Sequence, residues 1–221
     1  MSASRAGAES GPPVRIRMAP VLSGGGRRTV GQDDGMRLFV AVNPPTRAIE
    51  ELAAATASLR ELPGADRLRW SETAGWHLTL AFLGDVPADE VPQLSEKLAT
   101  VAVGHPRLRL RLAGGGTFGD RVLWCGVQGG TAALRRLADA VRDALDVTDD
   151  HPFHPHLTLA RSRFRAGGMR AMADAMRGFR GTEWEAGSVY LMRSETGFGP
   201  ARYTVVERVR TQGRGELRDE R

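Results

Sequence analysis

The sequence predicts an α+β protein made of two pseudo-symmetric lobes, each a mostly antiparallel sheet with flanking helices, with a cleft between them. Strand patterns occur both between helical patterns and directly after one another, which favours α+β over a doubly wound parallel sheet. The tetrapeptide HLTL occurs twice, at residues 77–80 and 156–159. Both copies have helical patterns and a pair of strand patterns around them, which indicates an internal duplication.

The first half of the chain alternates between strand and helix patterns. MRLFVAV (36–42) is an apolar run closed by Asn43-Pro44-Pro45, as expected of a buried strand. Apolar residues at helical spacing predict helices over residues 46–60 and 89–102. Further strands are predicted at residues 68–70, 76–83 and 107–112. The last of these alternates Arg with Leu, and we interpret its arginine face as solvated.

The second half repeats this mixture. The run Gly114-Gly115-Gly116 is interpreted as a turn between the strand at 107–112 and a strand at 122–127. An apolar stripe predicts a helix over residues 131–145. The remaining elements are predicted as a strand at 156–161, a short helix at 168–178, and closing strands at 188–194 and 202–209.

Residues 35–210 form the predicted folded body, and both flanks are predicted to be tails. Residues 1–34 are rich in Gly, Ser, Ala, Pro and Arg and show no sustained period. Such a segment cannot bury enough apolar surface to offset its ordering entropy. We therefore expect a disordered N-terminal extension over residues 1–34 and a polar C-terminal tail over residues 211–221.

The composition is typical of a soluble globular protein, with 41% hydrophobic and 26% charged residues. No run approaches the roughly 18 apolar residues of a membrane helix, and the single cysteine, Cys125, excludes an internal disulfide. We expect a cytoplasmic monomer that does not bind membranes. The net charge of +5 is weak evidence for nucleic acid. Arginine replaces lysine almost everywhere, which suits phosphate recognition but which we attribute to a GC-rich genome.

The repeated tetrapeptide places two His-Thr pairs on strands. Alternate residues of a strand share a face, so His77 and Thr79 point one way while the two leucines between and after them point the other. The same holds for His156 and Thr158. The leucines would anchor each strand in its own lobe, and the two polar pairs would converge on the cleft.

Two histidines and two hydroxyls suit phosphodiester cleavage. Hydroxyls and imidazolium groups donate hydrogen bonds to phosphate oxygens. Because histidine titrates near neutrality, one imidazole can accept a proton from attacking water while the other donates one to the leaving oxygen. This chemistry needs neither a metal nor another cofactor.

Other interpretations of these residues remain open at this point. A single HLTL is more often a half-buried strand, although the second copy in a histidine-poor chain argues against that. His151, His154 and His156 form a cluster that could hold a metal, but Pro152 and Pro155 interrupt it and no familiar ligand spacing is present. We expect His154 to have no role and the site to contain no metal.

At these residues the chain resembles the 2H phosphoesterase superfamily, specifically the RNA 2′,3′-cyclic phosphodiesterases formerly described as 2′-5′ RNA ligases. Two His-x-Thr-x motifs define that superfamily, here HLTL at 77–80 and 156–159. The resemblance extends over residues 36–210. The matching segments, in order, are MRLFVAVNPP, RW, WHLTLAFLGDV, GGGTF, VLWCGV, FHPHLTLAR and LMRSETGFGPARYTVV.

The resemblance implies a two-lobed fold with an active-site cleft and an enzyme, a hydrolase that converts RNA 2′,3′-cyclic phosphate ends to 2′-phosphomonoesters without metal. It implies that His77 donates a proton to the 3′ oxygen and that His156 activates water. Thr79 and Thr158 would hold phosphoryl oxygens, and Arg161 would lie near the substrate unless it forms a surface salt bridge.

Several functions remain alternatives within or beside this chemistry. The chain could act on 2′-5′ linked or small cyclic nucleotides, could catalyse weak RNA ligation, or could bind RNA ends without catalysis. Phe82 is expected to pack in the core rather than beneath the site.

Overall fold

The computed structural model describes residues 35–149, 151–162, 168–195 and 201–212 of the 221. The predicted N-terminal extension and residues 213–221 of the predicted C-terminal tail lie outside the described residues. Thr211 belongs to the folded body, because it is 3% exposed and its N–H donates a hydrogen bond to the Gly187 carbonyl at 3.1 Å. The folded body therefore includes Thr211, one residue beyond the predicted C-terminal boundary at residue 210.

The described residues contain nine strands and four α-helices, most of them where the sequence predicts them. The strands are β1 (Met36–Val42), β2 (Arg69–Trp70), β3 (Leu78–Val86), β4 (Leu108–Phe118), β5 (Val122–Gly129), β6 (His156–Arg161), β7 (Trp184–Ala186), β8 (Ser188–Glu195) and β9 (Arg202–Arg210). The helices are α1 (Thr46–Ala57), α2 (Val91–Val103), α3 (Thr131–Ala144) and α4 (Met169–Ala175).

The strands form two sheets in which every pairing is antiparallel. Sheet one has the order β3-β1-β8-β9, and sheet two has the order β2-β6-β5-β4-β7. If β2 is set aside, the two orders correspond strand by strand, with the two HLTL strands β3 and β6 in equivalent places. This correspondence confirms the expected pseudo-symmetry, although β8 and β9 reach sheet one from the end of the chain.

A single apolar core lies between the sheets and the helices. The inward leucines of both HLTL strands, Leu78, Leu80, Leu157 and Leu159, are 0% exposed and belong to this core. Helix α2 packs against β8 and β9, α4 packs against β4 and β5, and α3 contacts β3. Each fully buried leucine side chain stabilises the fold by roughly 1.5–3 kcal/mol. Because the leucines of both strands must face the core, the alternate residues of each strand face outward.

The other face of sheet one carries a separate aromatic cluster, and we call this side the open face. Phe39, Ala41 and Met192 are buried there, and Tyr190 and Tyr203 pack against them. These residues alternate along β1, β8 and β9 with the core residues of the same strands, as expected of a pleated sheet.

Two sequence predictions about the middle of the chain were wrong. The glycine run does not form a turn, because Gly114–Gly116 lie inside β4 at a register shift opposite β5. Gly115 allows α4 to approach, since a Cβ there would lie 2.6 Å from the Met176 Cβ. Strand β7 was missed because three residues are too few to show a period.

The arginine face of β4 is solvated, as predicted, and is paired with the missed strand. Arg111 donates to Glu183 at 3.0 Å, and Arg107, just before β4, donates to Glu185 at 2.8 Å. Such exposed pairs contribute little to stability. Throughout the described parts of the chain, every helix is too short or too polar to cross a bilayer.

Candidate active site

The two HLTL segments meet where the sheets adjoin. Strand β3 is the edge of sheet one and contacts β6 of sheet two. His77 immediately precedes β3, and His156 is the first residue of β6. The positive charge of His156 reaches the other histidine, because it lowers the pKa of His77. The fold therefore brings together the two histidines that the sequence separates by 79 positions.

A backbone carbonyl two residues upstream orients each imidazole. Nδ1 of His156 lies 2.7 Å from the His154 carbonyl oxygen. His77 has an equivalent hydrogen bond to the backbone of Gly75, and because this bond raises the pKa of His77, the backbone group is an accepting carbonyl. With Nδ1–H of His156 donating to that carbonyl, Nε2 is left as the free proton acceptor.

Aromatic rings pack against both imidazoles. The His77 ring lies 4.6 Å from the Phe39 ring and 5.0 Å from the Tyr203 ring, measured between centroids. The His156 ring meets the Phe118 ring edge-on at 4.8 Å and lies 6.4 Å from Trp124. These contacts limit rotation of the imidazoles and remove part of their hydration.

Loss of hydration holds both histidines in the neutral form. Burial lowers the pKa of His77 to about 4, and the charges of Arg161 and His156 act in the same direction against the hydrogen bond to Gly75. Burial also lowers the pKa of His156, opposed by the hydrogen bond to His154 and reinforced by the charges of His154 and Arg161. Both imidazoles are thus free bases at neutral pH in the unliganded protein.

The two threonines and Arg161 lie as the sequence predicts, beside the histidines. Thr79 and Thr158 are partly buried on the same strands, and neither hydroxyl has a hydrogen-bond partner among the described residues. Arg161 is exposed at the end of β6, and its charge acts on both histidines. It forms no salt bridge with any residue that the structure describes.

Two residues near the site were missed or misjudged from the sequence. His154 is not a bystander, because its carbonyl orients His156 and its ring packs on Trp124 at 4.8 Å. Asn43 lies next to β1, where its Nδ2 is 4.0 Å from the Met192 sulfur of the open face, while its Oδ1 is buried without a described partner. The register of β1 against β3 would place Asn43 opposite His77, but a sequence does not show register.

The aromatic side chains also differ from expectation. Phe82, predicted to be in the core, is 50% exposed, and its ring lies 6.2 Å from Phe39 on the open face. Phe118 of sheet two is 40% exposed beside His156. Sheet two thus presents an exposed phenyl ring beside His156, and sheet one presents one that is linked to His77 through Phe39. The apolar letters in the sequence do not distinguish either ring from core residues.

The alternative metal cluster is not assembled. The His151 side chain is 91% exposed and lies 3.4 Å from Asp149, while the rings of His154 and His156 are 6.2 Å apart. Within residues 35–149, 151–162, 168–195 and 201–212, no three His, Cys, Asp or Glu side chains are grouped to hold one ion.

Comparison with known proteins agrees with this geometry. The family model of the 2′-5′ RNA ligase superfamily matches residues 50–198, more than half of the chain. The chain belongs to the 2′-5′ RNA ligase superfamily. These proteins are 2H phosphoesterases, so the resemblance predicted from the two HLTL motifs is confirmed.

Several members of this superfamily are similar to the chain over most of its body. The RNA 2′,3′-cyclic phosphodiesterase of Thermus thermophilus is 31% identical over 199 residues, which is 80% of this chain and 91% of that protein. The Escherichia coli protein of the same name is 33% identical over 135 residues, 59% of this chain and 74% of that protein. The matched stretch spans only 32% of a Geobacillus stearothermophilus relative and 54% of an Aeropyrum pernix relative, each 39% identical.

Solved structures from the superfamily share the fold. Escherichia coli LigT complexed with NADP+ has a TM-score of 0.63 at 26% identity, covering 81% of this chain and 99% of that chain. A Thermus thermophilus protein has a TM-score of 0.66 at 30% identity, covering 81% of this chain and 100% of that chain. The predicted α+β fold of two antiparallel sheets is therefore confirmed.

Proposed function

We propose that this protein hydrolyses RNA 2′,3′-cyclic phosphate ends to 2′-phosphomonoesters, using two histidines as general acid and base. The observation that carries the proposal is the meeting of His77 and His156, each held by a carbonyl two residues upstream, at the junction of two equivalent sheets. The name shared by several relatives, RNA 2′,3′-cyclic phosphodiesterase, supports the same substrate.

In the proposed reaction, His156 accepts a proton from a water molecule whose oxygen attacks phosphorus. The bond between phosphorus and the 3′ oxygen breaks, and His77 donates a proton to that oxygen. Burial lowers the pKa of His77 to about 4 and also lowers that of His156, so both rings can accept a proton near neutral pH and the assignment of acid and base follows the family resemblance.

A bound phosphate anion would raise the imidazole pKa values, so that one ring takes up from solvent the proton that the unliganded site lacks. The negative phosphodiester lies close to both rings in this proposal, and an opposite charge within about 4–6 Å favours protonated imidazole. The hydroxyls of Thr79 and Thr158 and the guanidinium of Arg161 would hold the phosphoryl oxygens, since all three are without a described partner.

The exposed phenyl rings support RNA rather than a small phosphate as substrate. Base–aromatic stacking contributes roughly 1–3 kcal/mol per base and tolerates any base. Phe82 lies three residues after Thr79, and on the open face it could stack the base of the terminal nucleotide.

The proposal is tested with an oligoribonucleotide ending in a 2′,3′-cyclic phosphate, incubated with the purified full chain in EDTA. We expect turnover to a 2′-phosphate, identified by ³¹P NMR. His77→Ala and His156→Ala should each lower kcat by roughly 10²–10⁴ because each removes one proton-transfer group. His151→Ala is the matched control and should retain full activity, since that side chain is exposed.

Each alternative function has its own outcome in this experiment. Turnover that EDTA abolishes would indicate a metallohydrolase. Tight binding of the cyclic end without turnover would indicate a non-catalytic binding module. If either catalytic-histidine variant remained within a few-fold of the wild type, the two-histidine mechanism would be wrong.

A further inference from the structure

The open face continues from the candidate active site across the whole width of sheet one. Thr79 pairs with Ala41, Ala41 pairs with Tyr190, and Tyr190 pairs with Arg208, so these residues form one row across four strands. Neighbouring strands are about 4.8 Å apart. Arg208 therefore lies three strand spacings, roughly 14 Å, from the strand that carries Thr79.

The side chain of Arg208 is held in place on this face. Its guanidinium lies over the Tyr190 ring, 5.7 Å from the centroid. Its Nε donates to the hydroxyl of Ser188, which is 7% exposed, at 3.2 Å. Tyr190 itself packs against the aromatic cluster of the open face. The two remaining nitrogens of the fork are consequently presented in a fixed orientation.

The charge of Arg208 has no carboxylate partner among the described residues. Arg210 is the next residue on the same face and also has none, while Glu207, which pairs with Leu191, faces the other way. Two arginines at β4 differ in this respect, because Arg107, just before the strand, and Arg111 are paired with glutamates. An oriented and uncompensated arginine beside a phosphate-processing site is suited to a second phosphate.

We propose that Tyr190 and Arg208 form a subsite for the phosphodiester that joins the last two nucleotides of the RNA. This inference rests on the proposed function and names the part of the substrate that extends away from the cyclic phosphate. Arg208 binds the internal phosphate through its free nitrogens, and Tyr190 acts as a positioning residue beneath it. The protein then distinguishes an RNA end from a free cyclic mononucleotide.

The test compares a nucleoside 2′,3′-cyclic phosphate, which has no internal phosphodiester, with a dinucleotide ending in the same cyclic phosphate. Arg208→Gln should lower kcat/KM for the dinucleotide by about tenfold to a hundredfold, as for a lost hydrogen bond to a charged group. It should leave kcat/KM for the mononucleotide unchanged. The dependence of log kcat/KM on log salt should become less steep by roughly 0.7, the value for one phosphate contact on a single strand.

Matched variants separate the subsite from general effects of charge and fold. Arg111→Gln removes the same charge from the partly exposed face of β4 and should affect neither substrate. Tyr190→Phe should retain the dinucleotide preference, while Tyr190→Leu should lose part of it because the guanidinium is no longer held by an aromatic ring.

The proposal is overturned if Arg208→Gln lowers kcat/KM equally for both substrates or changes neither. If the wild type hydrolyses neither substrate, the proposed function fails separately. The subsite is then tested by equilibrium binding of a dinucleotide with a terminal 3′-phosphate against the corresponding mononucleotide 3′-phosphate. Equal affinity of the wild type and Arg208→Gln for the dinucleotide would overturn it there too.

Discussion

At the scale of single residues, the candidate site is defined by how two imidazoles are oriented and hydrated. The residue types and their alternation on strands are readable in the sequence, which is why His77, His156, Thr79 and Thr158 could be predicted. The carbonyls that orient the rings belong to Gly75 and His154. Since every residue has a carbonyl, no sequence pattern indicates which one will accept the hydrogen bond.

The lowered pKa values predict the pH dependence of the proposed reaction. The profile of kcat/KM reports the free protein, in which burial lowers the pKa of His77 to about 4 and also lowers that of His156. Both limbs of this bell-shaped profile should therefore lie below the ordinary histidine value of about 6.5. Because the bound phosphate anion raises both pKa values, the optimum of kcat should lie at higher pH.

Steady-state kinetics from about pH 4 to 9 with a cyclic-phosphate dinucleotide check this expectation. The two limbs belong to the coupled pair of histidines and not to either residue alone. The expectation would be contradicted if the pH optimum of kcat/KM lay above the pH optimum of kcat. It would also be contradicted by a flat pH profile under conditions where the chemical step limits the rate.

At the scale of elements, β4 shows why three glycines can lie inside a strand. Gly115 allows α4 to pack closely, and Gly116 leaves room for the Trp124 indole from the neighbouring strand. That indole contacts the rings of Phe118 and His154 beside His156. Local conformational preference alone favours a turn at three glycines, whereas in this fold the absence of a Cβ serves packing between elements.

Substitution of Gly116 should therefore affect the site through Trp124. A Cβ at Gly116 would overlap the indole, so we expect Gly116→Ala to destabilise the protein by about 1–3 kcal/mol, as overpacking does, and to lower kcat by displacing the rings around His156. Chemical denaturation, tryptophan fluorescence and turnover measure these effects. Gly178→Ala is the control, because a Cβ there meets nothing within 4 Å. Equal stability and activity of both variants would show that Trp124 moves freely.

At the scale of the whole molecule, Arg142 of α3 joins the two halves of the site. Its Nε donates to the Leu80 carbonyl on the edge strand β3 at 3.1 Å, and its Nη2 lies 3.5 Å from Asp149 on the segment leading to β6. Its guanidinium also lies 5.2 Å from the centroid of the Phe153 ring. One arginine thus connects the strand of Thr79 to the segment that precedes His156.

Arg142→Leu should lower both stability and turnover, although it substitutes none of the proposed catalytic side chains. Loss of a partly buried hydrogen bond to a carbonyl costs about 1–3 kcal/mol, and α3 would no longer join β3 to the segment that leads to β6. Thermal unfolding and kcat on the cyclic-phosphate dinucleotide are the measurements. Arg136→Leu, at an exposed position on the same helix, should change neither. Unchanged kcat in Arg142→Leu would mean that core packing alone aligns the two strands.

The predicted N-terminal extension also belongs to this scale. The superfamily match begins at residue 50 and the described body at residue 35. Removal of residues 1–34 should therefore leave kcat/KM on a short cyclic-phosphate substrate within a few-fold of the full chain. A large loss of activity with the fold intact by circular dichroism would assign these residues to substrate binding.

The sequence by itself determined the fold class, most strand and helix positions, the superfamily and the two His-Thr pairs. The fold class, the element positions and the His-Thr pairs follow from periodicity and repeated motifs, which are local properties of the chain. The tertiary structure decided which strands adjoin, that Phe82 is exposed, that the glycine run packs rather than turns, and that Arg208 lies in one row with Thr79. These features depend on strand register and on contacts between residues far apart in the chain, which no local pattern contains.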